Sequence, residues 1–235
     1  MKKWLLLFVS LSIISCNNYT PKKASNKNHI STTNYTLNGT IDFDSKTAYL
    51  NKIRNDSLFR IDSTSIFNHT FIFKGNIITP ERFALTFNDL SAVVIVILEP
   101  KDFSVSIKNH FFNDPKITGS PLNSLLLSYK NTSKSIFKKI NYLYPQFQKA
   151  RLENDAQKLQ EIKQKMETIE NEFTDYSYHF IENHKNSYIA AMLLSDHLKS
   201  TKKDPLKIRK SFNLLPLKIQ NSIDGKIVAK WLQTH

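Results

Sequence analysis

Apolar and polar side chains alternate with a period of two from about residue 34 to residue 119. Leu37, Ile41 and Phe43 share one face of the first run, and three later runs repeat the pattern around Phe71 and Phe73, around Phe83, Leu85 and Phe87, and around Phe103, Val105 and Ile107. An alternating run predicts a strand with one buried face, and several such strands separated by turns predict an antiparallel β-sandwich or barrel. Ala92 to Leu98 is continuously apolar and predicts a strand covered on both faces.

A helical period replaces this alternation at Ser120. Ser120 is a good N-cap residue and Pro121 suits the first helical position. The pattern predicts a helix running towards Tyr144, with Pro145 either ending it or starting the next helix.

A long helix is predicted from about 146 to 183, because apolar residues there recur in heptads. One line of the seam holds Leu152, Leu159, Met166, Phe173 and Phe180, and the other holds Ile162, Ile169 and Tyr176. Such a seam needs a partner helix. The preceding helix would give an antiparallel hairpin, and self-association is the alternative. Shorter helices are predicted from Ser187 to Leu198, from about 204 to 213 and from 222 to 233, which makes the fold class α+β.

The first 15 residues have the features of an export signal. Met1, Lys2 and Lys3 form a positive start, and Trp4 to Ile14 form an apolar stretch that is too short to span a bilayer. We therefore expect residues 1–15 to be a lipoprotein signal peptide that is removed from the mature protein.

The signal ends on a lipidation pattern. Ile13-Ile14-Ser15-Cys16 resembles the lipobox of secreted bacterial lipoproteins, in which the cysteine sulfur receives a diacylglycerol. More than one acyl chain is needed for stable anchoring. Asn17 follows Cys16 without an acidic run, which by resemblance to sorting rules favours the outer membrane, facing the periplasm. Residues 16–33 are predicted to be a lipid-anchored flexible tether.

The charge of the chain is basic but evenly spread. The formal net charge is +13, and removal of Lys2 and Lys3 with the signal leaves 31 bases against 20 acids, or +11. Lysine and asparagine are abundant throughout, and no block of like charge stands out. We therefore expect no nucleic-acid partner.

Few residues are candidates for chemistry. Cys16 is the single cysteine and is the predicted lipidation site, so the rest of the mature protein has no thiolate nucleophile or thiolate metal site. The four glycines are scattered, which excludes a phosphate-binding loop. We expect no cofactor.

Three further motifs have the right residue types and the wrong geometry or low specificity. Ser195-Asp196-His197 contains the residues of a triad, but consecutive helical side chains point about 100° apart. His179, Glu182 and His184 do not share one helix face, so no metal site is predicted. Asp56-Ser57-Leu58 and Asp62-Ser63-Thr64 look like bacterial O-glycosylation acceptors, although three-residue patterns are weak signals.

The β segment and its exit helix resemble a family of domains of unknown function. Members of that family precede thioredoxin-like thiol-disulfide reductases in envelope lipoproteins of certain Gram-negative bacteria. The resemblance covers about 34 to 233 and is carried by Leu37-x-Gly39, Ala48-Tyr49-Leu50, Asp62-Ser63-Thr64, Phe71-Ile72-Phe73-x-Gly75, Pro80-x-x-Phe83-x-Leu85, Ile97-Leu98-Glu99-Pro100, Ile117-x-Gly119-Ser120-x-Leu122-Asn123, Asn186-Ser187 and Asp224-Gly225-Lys226.

The resemblance does not extend to the reductase, because the chain has no Cys-x-x-Cys and ends at His235. We expect a β domain over 34–119 and a helical region over 120–235 packed on it. The expected function is a non-catalytic, lipid-anchored accessory module that binds another envelope protein. The alternatives are a partner subunit of a separate thioredoxin-like reductase, or a small-ligand carrier using the β domain.

Overall fold

The computed structural model describes residues 34–54, 57–88, 90–109 and 111–235. The predicted signal peptide, Cys16 and the tether to residue 33 lie outside the described residues, as does Asp56.

Strands occupy the first part of the described chain and form two four-stranded sheets. In chain order they are β1 (Tyr35–Ile41), β2 (Thr47–Arg54), β3 (Ser57–Ser65), β4 (Thr70–Gly75), β5 (Glu81–Phe87), β6 (Leu90–Leu98), β7 (Phe103–Ile107) and β8 (Lys116–Thr118). One sheet has the order β4-β1-β7-β8 and the other the order β3-β2-β5-β6. The two sheets pack as a sandwich, which confirms the predicted fold class, and they do not close into a barrel.

The alternating runs bury the faces that the period of two predicts. Leu37, Phe73 and Leu85 are almost completely buried between the sheets, together with Phe71, Phe83, Phe103, Val105 and Ile107. In β6 only the second half is covered on both faces, because Val94, Val96 and Leu98 point into the sandwich and Ile97 lies under the helices, whereas Val93 is exposed.

One strand pair departs from the antiparallel expectation. β1 and β7 run parallel, with Leu37 opposite Phe103 and Ile41 opposite Ile107, while the other strand pairs are antiparallel. The chain leaves the first sheet after β1, returns to it for β4, builds the rest of the second sheet and then re-enters beside β1 in the same direction. A period of two cannot reveal this, because parallel and antiparallel strands bury the same alternating positions.

Helices fill the rest of the chain. They are α1 (Pro121–Leu152), α2 (Ala156–Asn183), α3 (Tyr188–His197), α4 (Pro205–Asn213), α5 (Leu217–Gln220) and α6 (Ile223–Leu232). Ser120 caps α1, with its side chain accepting a hydrogen bond from the Asn123 N–H, as predicted. No helix in the part of the chain that the structure describes has the length and apolar character to cross a membrane.

The predicted helix boundary at Pro145 is wrong. α1 continues through Pro145 to Leu152, and the break comes at Asn154, which has a φ of 54°. Asp155 then caps α2, with its carboxylate accepting from the Lys158 N–H. A proline inside a helix removes one hydrogen bond and bends it, whereas a left-handed residue followed by an N-cap ends one helix and starts another.

The partner of α2 is α1, which confirms the hairpin. Ile162 and Ile169 are buried, and Leu159 and Met166 of the other heptad line are only half-buried. Leu152, which the seam included, ends α1 and is 85% exposed.

A second core joins the helices to the outer face of the sheet that contains β6. It contains Ile97 of β6, Tyr129 of α1, Ile181 of α2 and most of α3, including Ile189 and Leu194. The helical region is therefore packed directly on the sandwich.

Candidate functional site

The Ser195-Asp196-His197 motif does not form a triad. Ser195 is buried, Asp196 forms an ion pair with Arg82 at 2.8 Å, and the imidazole of His197 lies against Ser177 instead. The three side chains diverge, as consecutive positions of a helix must.

Sequence reasoning missed a hydrogen-bonded chain at the base of the hairpin. The Tyr129 hydroxyl lies 2.9 Å from Ser177 Oγ, which lies 2.8 Å from His197 Nε2. The Tyr178 ring stacks on His197 at 4.5 Å, burial lowers the pKa of His197 to about 4, and burial raises that of Tyr178 to about 12. The imidazole is therefore neutral at pH 7. Ser177 and His197 lie 20 residues apart, and no sequence motif connects them.

The hydrogen-bonded chain has the serine–histidine contact of a catalytic dyad, but its serine is not accessible to a substrate. Ser177 is 0% exposed, and its hydroxyl is shared between Tyr129 and His197. A nucleophile must reach its substrate, so the arrangement joins α1, α2 and α3 and offers no accessible hydroxyl.

Arg82 is the second polar junction. From β5 its guanidinium donates to Asp196 and Asp224 at 2.8 Å each and to the Met192 carbonyl at 3.2 Å. The nearby carboxylates of Asp196 and Asp224 raise the pKa of Arg82 despite its burial. One side chain thus ties the sandwich to α3 and α6.

The three candidate metal residues do not meet at one point, because His179 and Glu182 line one shallow pocket and His184 does not. Glu182 pairs with Lys210 at 3.6 Å, whereas His184 Nδ1 lies 2.8 Å from the carbonyl of Phe180 and stacks on its ring. Across the described residues, no group of three or more histidine, cysteine and acidic side chains is placed to hold a metal ion.

The Asp62-Ser63-Thr64 motif lies on β3, the edge strand of its sheet. Asp62 and Ser63 are exposed, and the Asp62 carboxylate accepts from the Ser63 N–H at 2.8 Å. Asp62 and Ser63 are therefore accessible from solvent, whereas Thr64 is half-buried.

The interior of the sandwich is filled by side chains. Phe43, Phe71, Phe73 and Phe87 pack edge to face with ring centroids 5.2 to 5.9 Å apart. This packing leaves the ligand-carrier alternative without support from the interior of the β domain.

A cleft of about 790 Å³ opens beside the hydrogen-bonded chain, between α2 and the segment joining α3 to α4. Its two lysines already have acidic partners, because Lys202 pairs with Glu170 at 2.8 Å and Lys207 pairs with Asp175 at 3.2 Å. These pairs hold the segment and α4 against α2, so the cleft has no unpaired cation to attract an anion.

A second groove lies on the distal part of the hairpin, with a volume of about 620 Å³. Its floor is apolar and comes from Phe147 of α1 and from Leu159 and Met166 of α2. Arg151 and Lys163 stand at its sides, and neither has an ion-pair partner among the described residues. The half-buried line of the heptad seam is thus open to a further partner.

The distal hairpin stands clear of the rest of the molecule. Phe137 is the last residue of α1 that lines the cleft at the base. Among the described residues, the side-chain hydrogen bonds and ion pairs of residues 140 to 169 stay within that range. At 1.5 Å per residue, the 15 residues from 138 to the end of α1 extend about 20 Å further. A partner reaching the groove is therefore not obstructed by the sandwich.

The fold and the grooves define the class of protein: a two-sheet sandwich that carries a protruding helical hairpin. Residues 35–126 match the model of a domain of unknown function (DUF4369). No curated protein and no solved structure matches the chain. The match supports the predicted resemblance to a family of domains of unknown function, over all eight described strands and the start of α1.

The end of this match coincides with the junction between sandwich and helices. Asn123 pairs with both the N–H and the carbonyl of Ile97, at 3.0 and 2.8 Å, and so covers the free edge of β6. Ser120 donates to Glu99, and Gly119 has a φ of 85° that suits glycine. The motifs Ile97-Leu98-Glu99-Pro100 and Gly119-Ser120-x-Leu122-Asn123 therefore meet at one place, and the hairpin groove lies outside the matched range.

Proposed function

We propose that this chain is a non-catalytic, lipid-anchored module of the bacterial envelope that binds another protein through its α1–α2 hairpin. One observation carries the proposal: the distal hairpin extends beyond the body with an open apolar groove. Apolar surface on an element that nothing else covers is a common mark of a protein interface.

The non-catalytic part rests on the polar clusters. The hydroxyl of Ser177 is inaccessible, and Asp196 and Asp224 are occupied by Arg82. His184 is occupied by the carbonyl of Phe180. Each cluster joins secondary-structure elements, which is a sufficient reason for its presence.

The location rests on the sequence. The Ile13-Ile14-Ser15-Cys16 pattern supports a diacylglycerol on Cys16, and Asn17 supports retention at the outer membrane, facing the periplasm. The resemblance to domains that precede thioredoxin-like reductases makes a separate reductase of that class one candidate partner.

Site-specific photo-crosslinking in cells tests the proposal. A benzoyl-phenylalanine placed at Gln160, which lines the groove, is expected to form an adduct with one protein. The matched control is Ser104, an exposed position on the outer face of β7, where no adduct is expected. A folded, membrane-associated protein that forms no adduct at Gln160, or the same adduct at both positions, contradicts the proposal.

A further inference from the structure

The distal hairpin combines an apolar stripe with an excess of positive charge. Between Lys138 and Met166 the sequence has seven basic and three acidic side chains, a formal net charge of +4. Lys149 and Lys158 pair within their own helices with Glu153 and Glu161, and Lys139 pairs with Glu172. Of these seven cations, four have no ion pair among the described residues: Lys138, Arg151, Lys163 and Lys165.

Two of these cations flank the groove itself. Arg151 and Lys163 line it, and no acidic side chain is among its described lining residues. A ligand that places apolar groups on Phe147 and Leu159 brings its flanks against two unpaired cations. Charge complementarity with Arg151 and Lys163 therefore favours a ligand that has acidic residues on either side of its apolar groups.

The shape of the groove selects a helix. On α2 the lining residues Ala156, Leu159, Lys163 and Met166 follow the spacing of one helix face. On α1, Phe147 and Arg151 lie four residues apart, again on one face. The groove thus lies along α1 and α2, and a third helix can lay an apolar stripe into it. Backbone groups within α1 and α2 are satisfied internally, so an extended segment would find no strand edge to pair with.

We infer that the groove receives an acidic amphipathic helix of the partner protein, and this inference rests on the partner-binding function proposed above. A second copy of the chain fits less well, because a symmetric pairing of two grooves brings Arg151 and Lys163 of both copies to one interface. Like charges facing one another at an interface oppose association.

Binding of a designed helix to the full lipidated chain in detergent tests the inference. The probe is a fluorescein-labelled peptide of about three heptads with leucine at a and d and glutamate at e and g, whose like charges oppose pairing with itself. Two matched peptides carry lysine at e and g, or the acidic sequence interrupted by two prolines that prevent a helix. Fluorescence anisotropy is expected to show binding of the acidic helix alone.

Charge reversal locates the binding. The double variant Arg151→Glu/Lys163→Glu is expected to weaken binding of the acidic peptide about tenfold or more and to gain binding of the lysine peptide. The control Lys74→Glu/Lys116→Glu changes the net charge equally on exposed positions of the sandwich and is expected to bind like the wild type.

Several outcomes would overturn the inference. One is equal binding of the proline peptide, and another is equal loss of binding in the two double variants. A third is a dimer in sedimentation that Arg151→Glu/Lys163→Glu abolishes, which would assign the groove to a second copy. A fourth is binding of phosphatidylglycerol vesicles by an unlipidated Cys16→Ser chain that the same reversal abolishes, which would assign the groove to a lipid surface.

The crosslinking at Gln160 separates this inference from the proposed function. An adduct whose partner segment is basic or cannot form a helix refutes the acidic helix and leaves partner binding standing. If the protein forms no adduct at Gln160, the proposed partner-binding function itself is wrong.

Discussion

Acid is expected to destabilise the fold through His197. Burial lowers the pKa of this imidazole to about 4 in the folded protein, against about 6.5 in an unfolded chain. As the pH falls below about 6.5 the unfolded chain takes up a proton that the folded protein does not, so the free energy of unfolding decreases. The loss reaches about 2 kcal/mol between pH 7 and pH 5 and levels off below about pH 4.

His197→Gln isolates this contribution. The amide of glutamine can still hydrogen-bond to Ser177 Oγ, as His197 Nε2 does, but does not titrate. Urea unfolding of the variant is expected to show a decrease between pH 7 and pH 5 that is smaller by about 2 kcal/mol. His179→Gln on α2 is the matched control, because it removes an exposed imidazole. An unchanged pH dependence in His197→Gln, or an NMR titration of His197 with its midpoint near 6.5, would refute the reasoning.

Three further predictions concern packing, a charged junction and the anchor. Gly39→Ala is expected to destabilise by about 1–3 kcal/mol in chemical unfolding, because its new methyl group would clash with the buried Phe71 ring; a stability equal to wild type would contradict this contact. Arg82→Met is expected to cost about 3 kcal/mol or more, since it leaves the mostly buried Asp224 unpaired, whereas Lys134→Met at an exposed pair should cost under about 1 kcal/mol. Cys16→Ser is expected to remove the protein from membranes washed with high salt, and a variant that still fractionates with membranes rules out the lipid anchor.

The sandwich was predictable because burial alone dictates its pattern. Phe83, Leu85 and Phe87 face the interior of the sandwich and are buried, whereas Arg82 and Thr86 on the opposite face are half-buried. Ala84 lies on that opposite face and is also buried. On the outward face of β5, burial depends on the helices packed there, and a period of two does not predict those contacts. Arg82 is polar and still half-buried, because α3 and α6 bring Asp196 and Asp224 to it from more than a hundred residues away.

The sequence predicts that the two long helices form a hairpin, but it misplaces the turn between them. Heptad spacing identified Ile162 and Ile169 as seam residues, and both are buried. The sequence predicts the boundary at Pro145 because proline is the strongest local signal against a helix. Asn154 and Asp155 decide the turn instead, since a left-handed residue and a cap act together there.

Because the turn is misplaced, the sequence does not predict the groove. With Pro145 as the boundary, Phe147 and Leu159 belong to one helix and cannot face each other across a channel. With the turn at Asn154, Phe147 and Arg151 lie on α1 opposite Leu159 and Lys163 on α2, and one groove collects all four. The base of the same hairpin is fixed to the sandwich because Asn123 of α1 hydrogen-bonds to Ile97 of β6. Under the proposed function, a partner in the groove would therefore be held at a defined distance from the β domain. The sandwich and its junction therefore support the hairpin. Under the proposed function, a change in the residues of the groove would alter the partner without disturbing the fold.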